Sequence, residues 1–434
     1  MSKFNEYWDN WWFGDPPMND KVYDAIYEEF NIILYVSGLF PDPRPIRRLI
    51  TLGILIFNVV NCAAYVYFLG VTATIQINDF VTASQTVHFA SVDLVAVTCM
   101  ISIVASRRHM IDMFRTIANK YFDYGDDFEI PEMVEEYRTM KRQKIIILVV
   151  LPSYLALNAF VCMMGRTIDG YFGRASNETY ENGVYMLTPE PMWYPFTIHN
   201  ELMHWMIVMS QATGAFALAS AVSGSAAIMV LLCQSINLQF KIIIYRIRKA
   251  EECAYHLHRK NGGEKLKKSE LYSDPSFMGY FNSNLNKLAE HHSILIRQFD
   301  SLYQVVKWPA GCALLLGSLL IAMSLLALLS GDGKPSILLL AALLIVAEVM
   351  NMALLCGQSE SVQELGQSLH EELYNMNWIE LNPAAKKTMM MMILQSKRPL
   401  VLMAGGLQPL NWEAFSGIMN TAYSYVNLLL AADV

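Results

Sequence analysis

The last apolar run of the chain, NWEAFSGIMNTAYSYVNLLLAA at 411–432, sets Glu413, Ser416, Asn420, Ser424 and Asn427 among Leu, Ile, Met, Phe and Val. At about 100° per residue these five, with Gly417 and Ala431, fall within about 50° of one line on a helix, and Leu428 lies just beside it. Hydroxyl and amide dipoles on one face of a greasy helix suit two roles. They line a hydrated path for ions, or they hydrogen-bond one helix to its bundle neighbours. Glu413, at the start, either concentrates cations or caps the helix. Two further carboxylates, Asp93 and Glu348, stand in apolar runs, where a charge is expensive and by default a functional candidate; neutralisation by hydrogen bonds is the alternative for Asp93. His88 and His204 could pair on a metal, but hydrogen-bonded histidines are the weightier alternative, and no metal is expected. The seven cysteines, Cys62, Cys99, Cys162, Cys233, Cys253, Cys312 and Cys356, show no CxxC or Cys/His spacing for zinc. No paired His/Asp/Ser set suggests catalysis, so neither a cofactor nor an enzyme is expected.

The elements that must position these residues are membrane spans. The chain is 54% hydrophobic and 16% charged, against roughly 25% charged in soluble domains. Seven runs reach the roughly 17–25 residues a bilayer requires: 49–69, 82–105, 145–164, 202–232, 308–330, 336–356 and 411–432. The opening MSKFNEYWDNWWFGDPP lacks the basic, apolar and cleavage regions of a signal peptide, which puts the N-terminus in the cytoplasm. The basic residues agree, because Lys and Arg are retained on the cytoplasmic side. With that orientation the inner segments 1–48, 106–144, 235–307 and 357–410 hold 5, 8, 12 and 4 of the 32 Lys and Arg, leaving Arg166, Arg174 and Lys334 outside. Seven spans then place Val434 outside. Asn177-Glu178-Thr179, in the outer loop 165–200, fits the N-glycosylation pattern that an outer face allows.

Residues 388–405, TMMMMILQSKRPLVLMAG, imitate an eighth span. Lys397, Arg398 and Pro399 at its middle argue for a helix on the inner side that ends near Pro399, because a charge at the bilayer centre costs about 2.5–3.5 kcal/mol. The fourth span continues as INLQFKIIIYRIRKAEECAYHLHRK, turns at NGGEKLKKSELYSDPS and returns through NSNLNKLAEHHSILIRQFDSLYQVVK. After the sixth span, Val362, Leu365, Leu369 and Leu373 recur at helical spacing. Segment 20–40, with Tyr23, Ile26, Tyr27, Phe30, Ile33 and Leu34, reads as an amphipathic helix on the inner surface. Four parts result: 1–48, an inner N-terminal segment; 49–356, six spans with an outer pocket; 357–410, inner anchor helices; and 411–434, the seventh span.

At its C-terminal end the chain resembles the insect odorant receptors. LLCGQSESVQELGQSLHEELYNMNW and KKTMMMMILQSKRPLVLMAGGLQPLNWEAFSGIMNTAYSYVNLLL carry the likeness, through Cys356 and Gly357, the Tyr374 to Trp378 spacing, the basic-Pro break, the GGL turn and AYSY. GLFPDPRP and LAEHHSILIR add looser support. Gustatory receptors typically end in a Thr-Tyr and Gln-Phe signature where this chain has AYSYVNLLL; a gustatory-type channel and a transporter remain the alternatives. G-protein-coupled receptors also have seven spans but place the N-terminus outside.

The resemblance implies an all-α membrane protein and a ligand-gated, non-selective cation channel with a tetrameric pore lined by the seventh span. This chain would be its ligand-tuning subunit, multi-pass in the plasma membrane of a sensory neuron dendrite. The implied partners are co-receptor subunits, or copies of itself in a homotetramer, with a small volatile ligand and membrane lipid; neither a nucleic acid nor a G protein is implied. The pore would be lined by Glu413, Ser416, Asn420, Ser424 and Asn427, with Leu428 and Ala431 or Ala432 as an apolar constriction that gates by dewetting. The ligand would sit where the outer halves of spans two, three, four and six converge. Those halves offer His88 and Phe89; Tyr154, Asn158 and Val161; Met203, His204, Ile207, Val208 and Gln211; and Ile337, Leu340 and Ala341.

Overall fold

The structure, a computed structural model, describes Val22, Asp24 and residues 37–40, 45–78, 80–125, 128, 130–174, 178–267, 269–330 and 334–431. Asn177, Ala432 and the apolar face expected of a helix at 20–40 lie outside these residues.

Helices carry almost all of the described chain. α1 (Pro45–Ile75) packs along α2 (Phe80–Ala105), a short α3 (Arg107–Ala118) follows, and α4 (Pro131–Tyr171) runs against the next long helix. A loop then holds three two-residue strands, β1 (Tyr180–Glu181), β2 (Val184–Tyr185) and β3 (Met192–Trp193), paired antiparallel in that order. α5 (Glu201–Arg248) and α6 (Ala250–Lys260) precede α7 (Pro275–Ser330) and α8 (Pro335–Asn375). α9 (Pro383–Ser396), a hairpin of β4 (Met403–Ala404) and β5 (Gln408–Pro409), and α10 (Trp412–Ala431) complete the order.

Local chemistry sets the helix starts. Pro131, Pro335 and Pro383 occupy first turns, where a missing N–H is harmless and the fixed φ suits the helix. Side-chain oxygens of Asn200, Asp274, Asn382 and Asn411 accept from the N–H groups of Met203, Phe277, Ala385 and Ala414 at 2.8, 2.7, 2.9 and 2.8 Å. Each answers one of the donors that a helix start leaves open.

Six of the helices are long and apolar enough to cross a membrane: Ile46–Ile75, Ala83–Ala105, Pro131–Tyr171, Glu201–Arg248, Pro275–Leu329 and Pro335–Asn375. α10 has 20 residues, about 30 Å at 1.5 Å per residue, the thickness of the hydrocarbon core. The imitation span at 388–405 is not a span. α9 has 14 residues and ends at Ser396, and Arg398 just beyond it pairs with Asp300 at 2.9 Å.

α4, α5, α7 and α8 are far longer than a bilayer needs, and with α6 and α9 their extensions form a packed anchor at one end. α7 is its hub, touching α2, α3, α5, α6, α8, α9 and α10. Every residue of α5 from 223 to 234 is buried, as expected of a helix apolar on all sides and surrounded by others. The hairpin before α10 is held by a close backbone approach. The Gly405 N–H donates to the Lys307 carbonyl at 2.7 Å, and a Cβ on Gly311 would lie 2.7 Å from the Gly405 nitrogen.

Candidate functional site

A cavity of about 480 Å³ lies at the end opposite the anchor, among the last turns of α1, α4 and α7, the first turns of α2 and α8, and the loop that carries β1–β3. About half of its walls are apolar, among them Ile75, Phe89, Val161, Met323, Leu340 and Leu344, and the rest are polar or charged, among them Gln85, His88, Arg166, Asp169 and Glu190. A concave space of a few hundred Å³ is the usual size of a small-molecule site, and this one is more polar than most.

The structure divides the thirteen expected ligand residues between two places. His88, Phe89, Val161, Ile337, Leu340 and Ala341 line the cavity together. The others are absent from its lining. Tyr154 donates to the Leu343 carbonyl at 2.7 Å, and Asn158 donates to the Tyr154 carbonyl at 2.9 Å. On α5, His204 Nδ1 lies 3.0 Å from the Tyr185 hydroxyl on β2, Ile207 is buried, and Met203 and Val208 are half-buried. Gln211 faces the loop: its amide donates to the Glu190 carbonyl at 2.7 Å and accepts from the Glu190 N–H at 3.2 Å.

That clasp points to the residue that the sequence did not single out. Thr188 Oγ1 also donates to the Glu190 carbonyl at 2.8 Å. Glu190 stands between Pro189 and Pro191, so ring-fixed φ angles flank it and the residue before each proline is held extended. Its backbone is fixed on both sides. Glu190 is one of the residues that line the cavity, and its Oε1 is buried without a hydrogen-bond partner. Burial, and after it the charge of Asp93, pushes Glu190 up to about 8 from its ordinary 4.5. Two more buried polar atoms on the same cavity, His88 Nε2 and Gln85 Nε2, also lack partners. The other ring nitrogen of His88 lies 3.3 Å from Ser324 Oγ.

Asp169, another lining residue the sequence did not flag, accepts from the Ser336 N–H at 3.0 Å and from its hydroxyl at 2.7 Å. It thereby caps the start of α8 from a neighbouring helix. The α7 residues Met323, Ser324 and Ala327 extend the lining beyond the four expected spans. Asp93 is buried beside Cys62 of α1, and Glu348 is half-buried on α8. Among the described residues no group of three His, Cys, Asp or Glu could hold a metal ion.

The polar stripe of α10 lies away from the cavity's lining residues. Ala414, Ile418, Ala422 and Val426 are buried, while Glu413, Ser416, Asn420, Ser424, Asn427, Leu428 and Ala431 are exposed. The stripe is centred about 180° from the buried face at 100° per residue, so it points away from its own bundle. Asn411 supplies the side-chain cap of α10, and Glu413 is exposed in the first turn.

Such a protein is a multi-pass helical membrane protein with a ligand-sized cavity at one end and a packed helical anchor at the other. A profile of the 7tm odorant receptor family matches residues 77–423, and the chain belongs to that family, whose members are receptors of the plasma membrane and not enzymes. Among curated relatives, Odorant receptor 83a of Drosophila melanogaster is 20% identical over 279 residues, covering 56% of this chain and 60% of the relative. Odorant receptor 10 of Aedes albopictus is 24% identical over 143 residues, 33% and 38% of the respective lengths. The chain thus matches less than two thirds of either relative. The structure of the insect olfactory receptor OR5 from Machilis hrabei in complex with eugenol superposes with a TM-score of 0.72 at 14% identity, covering 95% of this chain and 100% of that one. A second structure of that receptor gives 0.71 at 15% identity, covering 95% and 99%. The fold is that of an insect olfactory receptor.

Proposed function

We propose that the chain is the ligand-tuning subunit of a tetrameric, non-selective cation channel opened by small volatile molecules that enter the cavity beside His88, Phe89 and Glu190. The observation that carries this is the exposed polar stripe of α10, on a helix of bilayer length and opposite its buried face. Polar groups at that depth are costly against lipid and acceptable against water, so four such faces around an axis would enclose a hydrated path. Leu428 and Ala431 or Ala432 would supply the apolar constriction, with Glu413 at the other mouth. Subunits meet chiefly at the anchor, where Trp378, Ile379, Met390, Met391 and Leu394 are exposed, a concentration of apolar side chains that suits a protein interface. The partners are odorant co-receptor subunits, with a homotetramer as the alternative. The anchor faces the cytoplasm, and the loop with Asn177 and the cavity faces outside.

Patch-clamp recording from cells that make the chain, with and without a co-receptor, tests this together with cysteines placed along α10. Cysteines at Ser416, Asn420, Ser424 and Asn427 are expected to react with charged thiol reagents and change an odorant-evoked current, and those at Thr421 and Tyr425 are not. Saturable uptake without unitary currents would make the protein a transporter. Even reactivity around the helix would leave the stripe as glue between helices.

A further inference from the structure

The first residue of α10, Trp412, is half exposed, so burial alone does not hold it. Contacts with α8 do. The Trp412 N–H, one of the donors that a helix start leaves open, donates to Glu360 Oε2 of α8 at 3.0 Å, while Asn411 answers the Ala414 N–H at 2.8 Å. A carboxylate at that point also suits the positive end of the helix dipole. One turn back on α8, a Cβ on Gly357 would stand 2.9 Å from Trp412 Cζ2. Side-chain carbons do not come so close, so the indole occupies room that only a glycine leaves. Phe415 meets the same ring edge-on, with centroids 5.7 Å apart at 89°.

The other end of α8 lines the cavity through Ile337, Leu340, Ala341 and Leu344. From Leu344 to Gly357 is about 20 Å at 1.5 Å per residue, and no proline or glycine interrupts the helix between them. α7 also lines the cavity and touches α10, but Pro309 stands inside it, where a missing hydrogen bond permits bending. α8 is the unbroken rod. We propose, on the reading of α10 as the pore helix, that Gly357 and Glu360 are positioning residues for gating: they clamp the start of α10 to α8, so that a shift of α8 at the cavity is carried to the pore. Neither residue lines the cavity. Helix shifts in switching proteins are about 1–2 Å. A ring seated directly on backbone follows a shift of that size, because close-packed groups transmit small displacements that slack side chains absorb.

Patch-clamp recording from cells that make the full chain with a co-receptor tests the clamp, with octanol, benzaldehyde, methyl benzoate and 2-heptanone as probes. The probe that evokes the largest current from the natural protein is used throughout at saturation, and current is taken per receptor labelled at the cell surface. Gly357→Ala pushes a half-exposed ring aside and opens no core, so the variant should reach the surface with its current reduced about fivefold or more, as expected when a coupling of about 5–150-fold is lost. Trp412→Phe lacks the part of the indole that the new Cβ would meet. In that background Gly357→Ala should change the current by less than about twofold, and such non-additivity marks a direct contact. Glu360→Leu should lower the current as Gly357→Ala does, and Glu360→Gln, which keeps an acceptor for the Trp412 N–H, should keep the larger part of it. Should Gly357→Ala fail to reach the surface, Glu360→Leu against Glu360→Gln decides alone. Residues with a merely structural role would change the number of receptors at the surface and leave the current per receptor intact. That result, or Gly357→Ala proving as damaging beside Phe as beside Trp, overturns the clamp while the channel stands. No current from the natural protein with any probe overturns both.

Discussion

At the anchor, Lys241 meets Glu136 at 2.8 Å, Gln298 donates to Asp112 at 2.9 Å and His370 Nδ1 lies 2.8 Å from Ser396 Oγ. Among the residues that line the cavity, Glu190, His88 and Gln85 each carry a buried polar atom without a hydrogen-bond partner. The anchor has orphans too: neither ring nitrogen of His292 has a partner among the described residues, and that side chain is fully buried. The difference lies in the surroundings. An orphan such as His292, which lies outside the cavity's lining, is a stability cost that surrounding apolar burial offsets, whereas the orphans of Glu190, His88 and Gln85 belong to residues beside open space, where a small side-chain turn can bring them to water or a ligand. Stability is therefore concentrated where the helices extend and meet, and recognition at the end that is left incomplete.

The comparison breaks first if the two ends prove equally tolerant. Phe281 is 2% exposed in the anchor, in ring contact with Phe277 and Tyr272, so Phe281→Ala should cost about 3–5 kcal/mol. Leu340, half-buried on the cavity wall, already faces space, and Leu340→Ala should cost under about 2 kcal/mol, less than a fully packed leucine. Chemical unfolding of the purified variants in detergent checks both, and equal losses would erase the distinction. Next in size is Asp169→Ala, which removes both acceptors from Ser336 and should cost about 1.5–3 kcal/mol as hydrogen bonds to a charged group. Amide exchange should quicken in the first turn of α8 and stay unchanged in the anchor.

The anchor was the more legible end in sequence, for a physical reason. Apolar runs, helical spacing of Val362, Leu365, Leu369 and Leu373, and a Lys-Arg-Pro break are local signals, and each survives folding as written: α8 runs on to Asn375 and α9 stops before Lys397. The cavity depends on where a loop lies. Three two-residue strands fold that loop so that Tyr185 meets His204 and Glu190 meets Gln211, which ties those two α5 side chains to the loop and not to the cavity lining. No periodicity foretells so short a sheet. Pro189-Glu190-Pro191 was the one usable signal, since a charged residue between two prolines has little conformational freedom to lose and is costly to bury. The polar stripe of α10 was fully legible, because a helix of that length fixes which residues share a face.

A smaller effect separates the ends by pH. Glu190 has its folded value raised from 4.5 to about 8, so the folded state holds this proton more tightly than the unfolded chain. Its contribution to stability is fully present below about pH 4.5 and is lost as pH rises toward about 8, beyond which it is flat. Melting temperatures of the natural protein and Glu190→Gln should therefore diverge between pH 5 and 8, with the variant relatively more stable at the upper end. The other ionisable groups on the cavity, His88, Cys162, Arg166, Asp169, Glu181 and Lys334, are common to both proteins, and Asp93, whose charge acts on Glu190, is the neighbour whose own titration the substitution also alters. A constant difference across that range would mean that Glu190 titrates as an ordinary surface carboxyl.

The smallest effect belongs to the anchor's exposed ion pair. Arg248 and Glu372 meet at 2.7 Å with side chains 48% and 25% exposed, and a pair so open to solvent is worth about 0–1 kcal/mol. Arg248→Met keeps most of the stem and removes the charge, so a separated subunit should lose little, and less still in high salt. The assembled protein is the sharper case. If neighbouring subunits cover this face of the anchor, the same substitution strands the Glu372 carboxylate away from water and should cost about 3–5 kcal/mol, because breaking a buried pair leaves one charge uncompensated. Unfolding of isolated chains and of assembled complexes, compared for this one variant, thus reports whether the interface runs over Arg248 without any structure of the assembly. Equal small losses in both states would move the interface elsewhere, toward the exposed apolar residues of α9.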